Sequence, residues 1–376
     1  MKRRLYTPGP TPVPPQATLA MAQPIDYHRG EAASAVVRRC ADALKTVFQT
    51  ASDVAILTSS GTGAMESAIA NLFSAGDTVV VVESGKFGER WAEIAAAYGL
   101  DVVRISVEWG ESVDPATVEQ ELRRRPDARA VLATLCETST GALHDIRALA
   151  TLIRTTDTLL AVDAVSALGA DEVRMDEWGV DALVSCSQKG LMTPPGLAFL
   201  ALGPRALAAA DSATLPRFYF DHARYVASLA KDAAPFTPAM SLLYGLDVAL
   251  ASMTHEGMDA VYARHARMAR ATREGVKAAG LSTFARVPAN TLTSIRLPDA
   301  VDGKALLQRL RDAHGIVFAG GQAHLAGRIV RIAHLGWMDD YDALVAVAAL
   351  ERGLVDVGHP VAIGNAVQAA QLALAT

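Results

Sequence analysis

The chain has 376 residues, 51% of them hydrophobic, and a formal net charge of −5. That length calls for one large domain with a smaller one attached, and no hydrophobic run approaches the ~20 residues needed to span a bilayer. Mild acidity argues against a nucleic-acid surface, and Cys40, Cys136 and Cys186 are too few and too scattered for a disulfide framework or a zinc knuckle, which points to the cytoplasm.

Met1-Lys2-Arg3-Arg4 is basic, but Leu5-Tyr6-Thr7-Pro8-Gly9-Pro10-Thr11-Pro12 follows in place of the apolar stretch of an export signal. This proline-rich start, with Pro14 and Pro15 next, is expected to be extended. Short β-branched runs then alternate with helical patterns: Thr78 to Val82, Val102 to Val107, Ala130 to Leu135, Thr158 to Val162, Ala182 to Ser185 and Leu197 to Ala201. The rhythm predicts a mainly parallel α/β sheet covered by helices on both faces. Arg123, Arg124 and Arg125, ahead of Pro126, read as a solvated helix end.

From Ser241 to Gly280 the pattern is a long helix broken near Gly257, bridging into a second domain. Beyond it come an expected strand from Thr291 to Leu297, a helix from Gly303 to His314, strands at Ile316 to Phe318 and Arg328 to Ile332, and a helix from Asp339 to Leu354. The expected division is an N-terminal segment 1–15, a large domain 16–250 and a small α+β domain 251–376. No role suggests itself for the Ala-rich segment Val361 to Thr376.

Ligands of such sheets sit beyond the carboxyl ends of the strands, so the residues just after each strand matter most. Lys189, in Ser187-Gln188-Lys189-Gly190, follows the apolar run Ala182-Leu183-Val184 that reads as a buried strand, where an ammonium is expensive to bury. Either its stem packs while its head reaches water, or its amine is used, most commonly as a covalent link to an aldehyde cofactor. Ser59-Ser60-Gly61-Thr62-Gly63-Ala64 precedes a helix and can offer backbone N–H groups and a hydroxyl to a phosphate, though a Gly-rich turn is often only structural. Asp163 ends its strand and could cap the next helix or face a protonated pyridine nitrogen.

These positions, with Pro8-Gly9-Pro10-Thr11, Glu137-Thr138-Ser139-Thr140-Gly141, Val162-Asp163-Ala164-Val165-Ser166 and Val330-Arg331-Ile332, occur in one order along nearly the whole chain. The chain resembles the class V aminotransferases, fold-type-I pyridoxal-phosphate enzymes, nearest the alanine:glyoxylate, serine:pyruvate and serine:glyoxylate group. The resemblance implies a mainly parallel seven-stranded sheet between helices and a homodimer with its active site at the subunit interface. It implies that Lys189 is the Schiff-base lysine and proton shuttle and Asp163 the partner of the pyridine nitrogen. Thr62, Gly63, Ala64 and Gln188 would hold the phosphate, Phe87 and Val165 would cover the two ring faces, and Thr138 would bond near the phenolic oxygen. Arg331 would take the substrate carboxylate, for which a planar fork is suited. Gly9 would line the substrate space, and Arg29 could approach it across the dimer.

One departure concerns the phosphate: Thr237 fits a position from which relatives reach it across the dimer, but Ala234 stands where the alanine:glyoxylate enzymes have a tyrosine nearby. The expected reaction is ping-pong transamination between a small amino acid, alanine or serine, and a 2-oxo acid, glyoxylate or pyruvate. Aspartate, phosphoserine or an aminophosphonate are alternative donors. A cysteine desulfurase is disfavoured because it needs a mobile C-terminal cysteine, whereas the last one here is Cys186. A noncatalytic relative would have little reason to keep Lys189, Asp163 and Arg331 together, and a nicotinamide enzyme would need the third glycine that the Gly61 loop lacks.

Overall fold

The computed structural model describes residues 2–375, so Met1, which opens the first expected segment, and Thr376, which closes the last, lie outside the described residues. Seven strands form the large sheet: β1 (Val54–Leu57), β2 (Thr78–Glu83), β3 (Asp101–Ser106), β4 (Ala130–Thr134), β5 (Leu159–Asp163), β6 (Ala182–Cys186) and β7 (Ala198–Leu202). Their order is β1-β7-β6-β5-β4-β2-β3. Only β7 runs antiparallel to its neighbours, so the carboxyl ends of β1, β2, β4, β5 and β6 share one edge.

The central strands are buried on both faces, as their unbroken apolar runs require, and two helical layers cover them. On one face the helix Glu31–Phe48 packs Val37, Leu44 and Phe48 against Val54, Leu183 and Phe199. On the other, the helix Gly61–Leu72 packs Met65 and Ile69 with Leu57, Leu132 and Val184. Burial of a dozen side chains of this size, at about 2 kcal/mol each, dominates the stability of the layers.

The long helical stretch breaks at Gly257, whose φ of +84° lies where an L side chain is strained, giving Met240–Glu256 and Met258–Ala278. The expected boundary at residue 250 therefore falls inside a continuous helix. A four-stranded sheet follows, with Leu292–Arg296 and Ile329–Ala333 at its centre and Ser294 opposite Arg331. The helix Gly303–His314 starts on Asp302, whose carboxylate accepts from Lys304 N and Ala305 N, and ends on left-handed Gly315.

Two regions depart from a simple reading of the sequence. The N-terminal segment carries no helix before Pro15, but part of it is a strand that the sequence did not announce: Arg4–Leu5 pairs in parallel with Ile316–Val317. The Ala-rich tail is ordered as the helix Asn365–Leu374, which lays Ala366 and Ala370 into the core of the C-terminal layer. Buried Glu351 caps it from outside, accepting from Gly364 N at 3.1 Å and Ala366 N at 2.6 Å. Among the described residues no helix is long and apolar enough to cross a membrane.

Candidate active site

The shared strand edge collects Thr62, Phe87, Thr138, Asp163 and Lys189 because each ends or follows its own strand. Lys189 comes three residues after β6 and is buried. Its Nζ donates to the Ser166 hydroxyl at 3.0 Å and to the Pro8 carbonyl. Burial pulls the amine below its ordinary pKa, since a charged ammonium gains little there without a carboxylate against it. Gly9 lies over the lysine with φ +131°, and a Cβ on it would come within 2.4 Å of Lys189 Cε. Thr11 Oγ1 donates to the Lys189 carbonyl at 2.9 Å.

Asp163 ends β5, and Val165 N donates to its Oδ1 at 2.7 Å. Desolvation pushes the carboxyl from 3.8 up to about 7; the Val165 hydrogen bond opposes this, and the negative charge of Glu137 adds to it. A buried carboxyl in this state is suited to a cationic hydrogen-bond donor. Val165 packs on the Gly61 loop, where a Cβ on Gly61 would meet Val165 Cγ2 at 2.8 Å. The first turn of the helix Gly61–Leu72 carries Thr62, Gly63 and Ala64 and no acidic residue, so its positive end is uncompensated. Gln188 is half-buried beside Lys189, and its Oε1 has no hydrogen-bond partner.

Thr138 Oγ1 contacts Ser166 Oγ, so the hydroxyls of Thr138 and Ser166 and the amine of Lys189 form one chain. The Thr138 carbonyl accepts from Arg331 Nη1 at 2.7 Å, and Arg331 Nε donates to Gly320 O at 2.9 Å. Arg331 is nearly buried, and among the described residues it forms no ion pair. Burial lowers it to about 10, partly countered by Glu137, so it stays charged at neutral pH. A buried guanidinium with neutral partners is a receptor for an anion.

Sequence reading passed over Glu137, Arg90, Ser166 and Pro8 as working groups. Glu137 is fully buried; its Oε2 accepts from Phe87 N at 3.0 Å and Gly88 N at 3.1 Å, and its Oε1 from Ser139 N at 3.1 Å and Ser139 Oγ at 2.5 Å. It thereby caps the helix Lys86–Ala97 from another strand and fixes Phe87 and Thr138 relative to each other. Thr237 and Arg29 stand apart from this group, both exposed. Thr237 lines a surface hollow of about 310 Å³ with Tyr27 and His28.

A family model described as Aminotransferase class-V matches residues 11–335. The chain belongs to the class V aminotransferases. The aminotransferase is 42% identical to a protein named "Soluble hydrogenase, small subunit" from Synechococcus sp., covering 95% of this chain and 94% of that one. It is 36% identical to the L-aspartate–glyoxylate aminotransferase of Paracoccus denitrificans (98% and 95% covered) and 35% identical to the serine–glyoxylate aminotransferase of Methylorubrum extorquens (98% and 95%). Among solved structures, pyridoxamine-pyruvate aminotransferase from Mesorhizobium loti superposes with a TM-score of 0.95 at 30% identity, covering 99% and 97%. The fold is that of the fold-type-I enzymes, and the cofactor of the family is pyridoxal 5'-phosphate. The residues present fit that group: a buried amine, a buried carboxyl short of a cation and an uncompensated helix end.

Proposed function

We propose that this aminotransferase moves an amino group from a small amino acid, alanine or serine, to glyoxylate or pyruvate by a ping-pong mechanism. The reading rests on one observation: Lys189 and Asp163 sit buried at the carboxyl edge of the large sheet, and buried Arg331 reaches that edge from the four-stranded sheet through the Thr138 carbonyl, with no ion pair among the three. Serine is supported by the name of the Methylorubrum relative; the name of the Paracoccus relative keeps aspartate as an alternative donor.

Thr62, Gly63, Ala64 and Gln188 would hold the phosphate, Phe87 and Val165 the ring faces, Thr138 the phenolic edge and Asp163 the ring nitrogen. When bound, pyridoxal phosphate supplies an aldehyde for the amino group and an electron-withdrawing ring that acidifies the α-carbon. Arg331 holds the α-carboxylate and so fixes the bond to be broken. Lys189 Nζ, favoured in its neutral form by burial, takes the α-proton, while Ser166 Oγ and Pro8 O hold the amine in place. Gly9, having no side chain, leaves the amine room to move.

We further read the chain as a homodimer in which Thr237 and Arg29 serve the partner's site, as a large unit to about residue 250 plus a small one, and as cytoplasmic, in keeping with its three unpaired cysteines. A screen of alanine, serine, aspartate, phosphoserine and an aminophosphonate against glyoxylate and pyruvate tests the reading. Alanine or serine should give the fastest keto-acid release, with parallel double-reciprocal plots. Failure of both with either acceptor overturns the small-donor assignment.

A further inference from the structure

Arg90 is the unassigned group nearest the proposed cradle. It sits one turn beyond Phe87 on the helix Lys86–Ala97, half-buried. Its Nη1 donates to Thr62 Oγ1 at 3.2 Å, and its guanidinium carbon lies 4.9 Å from the centroid of the Phe87 ring. Among the described residues Arg90 forms no ion pair, and its neighbour Glu89 is engaged by Lys86. A half-buried guanidinium that keeps only a hydroxyl and an aromatic face as partners retains N–H donors for an anion. The anion end of the neighbouring helix lies on the same side: Thr62 is in its first turn, and Ser60 offers it no side-chain cap.

We propose that Arg90 is a binding residue for the cofactor's phosphate, reaching it alongside Thr62 and tying the phosphate loop to the aromatic that covers the ring. Once Arg90 donates to Thr62 Oγ1, the hydroxyl has its own proton free to point at an oxyanion, so the two side chains act as one cationic donor pair. The guanidinium also lies over the Phe87 ring, which places cradle and aromatic side by side.

The inference rests on the reading of the Thr62 loop as the phosphate cradle, and the test separates the two. Dissociation constants of pyridoxal phosphate and of phosphate-free pyridoxal are measured by fluorescence on cofactor-stripped protein, for the parent, R90Q and R90K. The parent should prefer the phosphorylated form by at least a hundredfold. R90Q should lose tenfold or more of that preference while its pyridoxal affinity stays within threefold, and R90K should keep the larger part. Inorganic phosphate should compete with cofactor binding in the parent and less well in R90Q. If the parent lacks the preference, the cradle reading fails. If the parent has it and R90Q leaves the ratio unchanged, if a folded R90K loses as much of it as R90Q, or if both ligands weaken equally, Arg90 does not bind the phosphate.

Discussion

The buried carboxyl of Asp163 makes the stability of the cofactor-free protein depend on pH in a defined direction. Its pKa in the folded chain is about 7 against 3.8 for the free side chain, so the folded state binds that proton more tightly than the unfolded state. The contribution is fully present below 3.8 and is lost as pH rises through about 7. At about 1.4 kcal/mol per tenfold in proton affinity, the whole span is worth roughly 4 kcal/mol, of which about 2–3 kcal/mol falls between pH 5 and pH 8. Asp163→Asn keeps an oxygen for Val165 N and cannot ionise, so it removes this dependence. Urea unfolding of cofactor-free parent and Asp163→Asn at both pH values reads out the residue together with its coupling to Glu137, because Asp171, also raised by burial, cancels in the difference. The variant should gain about 2–3 kcal/mol on the parent from pH 5 to pH 8. A change under about 0.5 kcal/mol would refute the claim that this carboxyl lacks a compensating partner.

Glu137→Ala leaves three buried N–H groups and a hydroxyl without their acceptor, a loss of about 3–5 kcal/mol partly offset by release of the buried charge; unfolding within 1 kcal/mol of the parent contradicts this. Gly9→Ala places a methyl within 2.4 Å of Lys189 Cε at a φ of +131°, so turnover should drop at least ~10-fold with only about 1–2 kcal/mol of stability lost. Unchanged turnover at full cofactor occupancy counts against the close approach. Arg331→Gln should raise the amino-acid KM about 100-fold or more while cofactor affinity stays within about threefold. A KM near that of the parent removes Arg331 from carboxylate binding.

The strands of the large sheet were readable because a sheet covered on both faces needs continuous apolar runs, and each expected run lies within a residue or so of its strand. The positions of Lys189, Asp163 and Thr62 followed from those strand ends alone, with no knowledge of contacts. Arg90 and Glu137 were not readable as partners. Arg90 occupies an ordinary place on an amphipathic helix, and the bonds of Glu137 join segments some fifty residues apart. The pairing of Arg4–Leu5 with Ile316–Val317 likewise has no local signal, since two-residue strands carry no periodicity. The tail helix escaped notice because its anchor, Glu351, sits in another helix and looks like any exposed glutamate in sequence.

The stitching of Arg4–Leu5 onto the C-terminal layer gives the first dozen residues a mechanical character. At one end Arg4 N and Tyr6 N are tied to Gly315 O and Val317 O, and Tyr6 O to Ala333 N; at the other, Pro8 and Thr11 grip Lys189. The segment is tied at both ends like a tendon, so a rotation of the C-terminal layer would pull on the residues that hold the Lys189 amine. Proteolytic trimming of a few N-terminal residues would then register as lost turnover in a protein whose sheets and melting behaviour remain nearly intact.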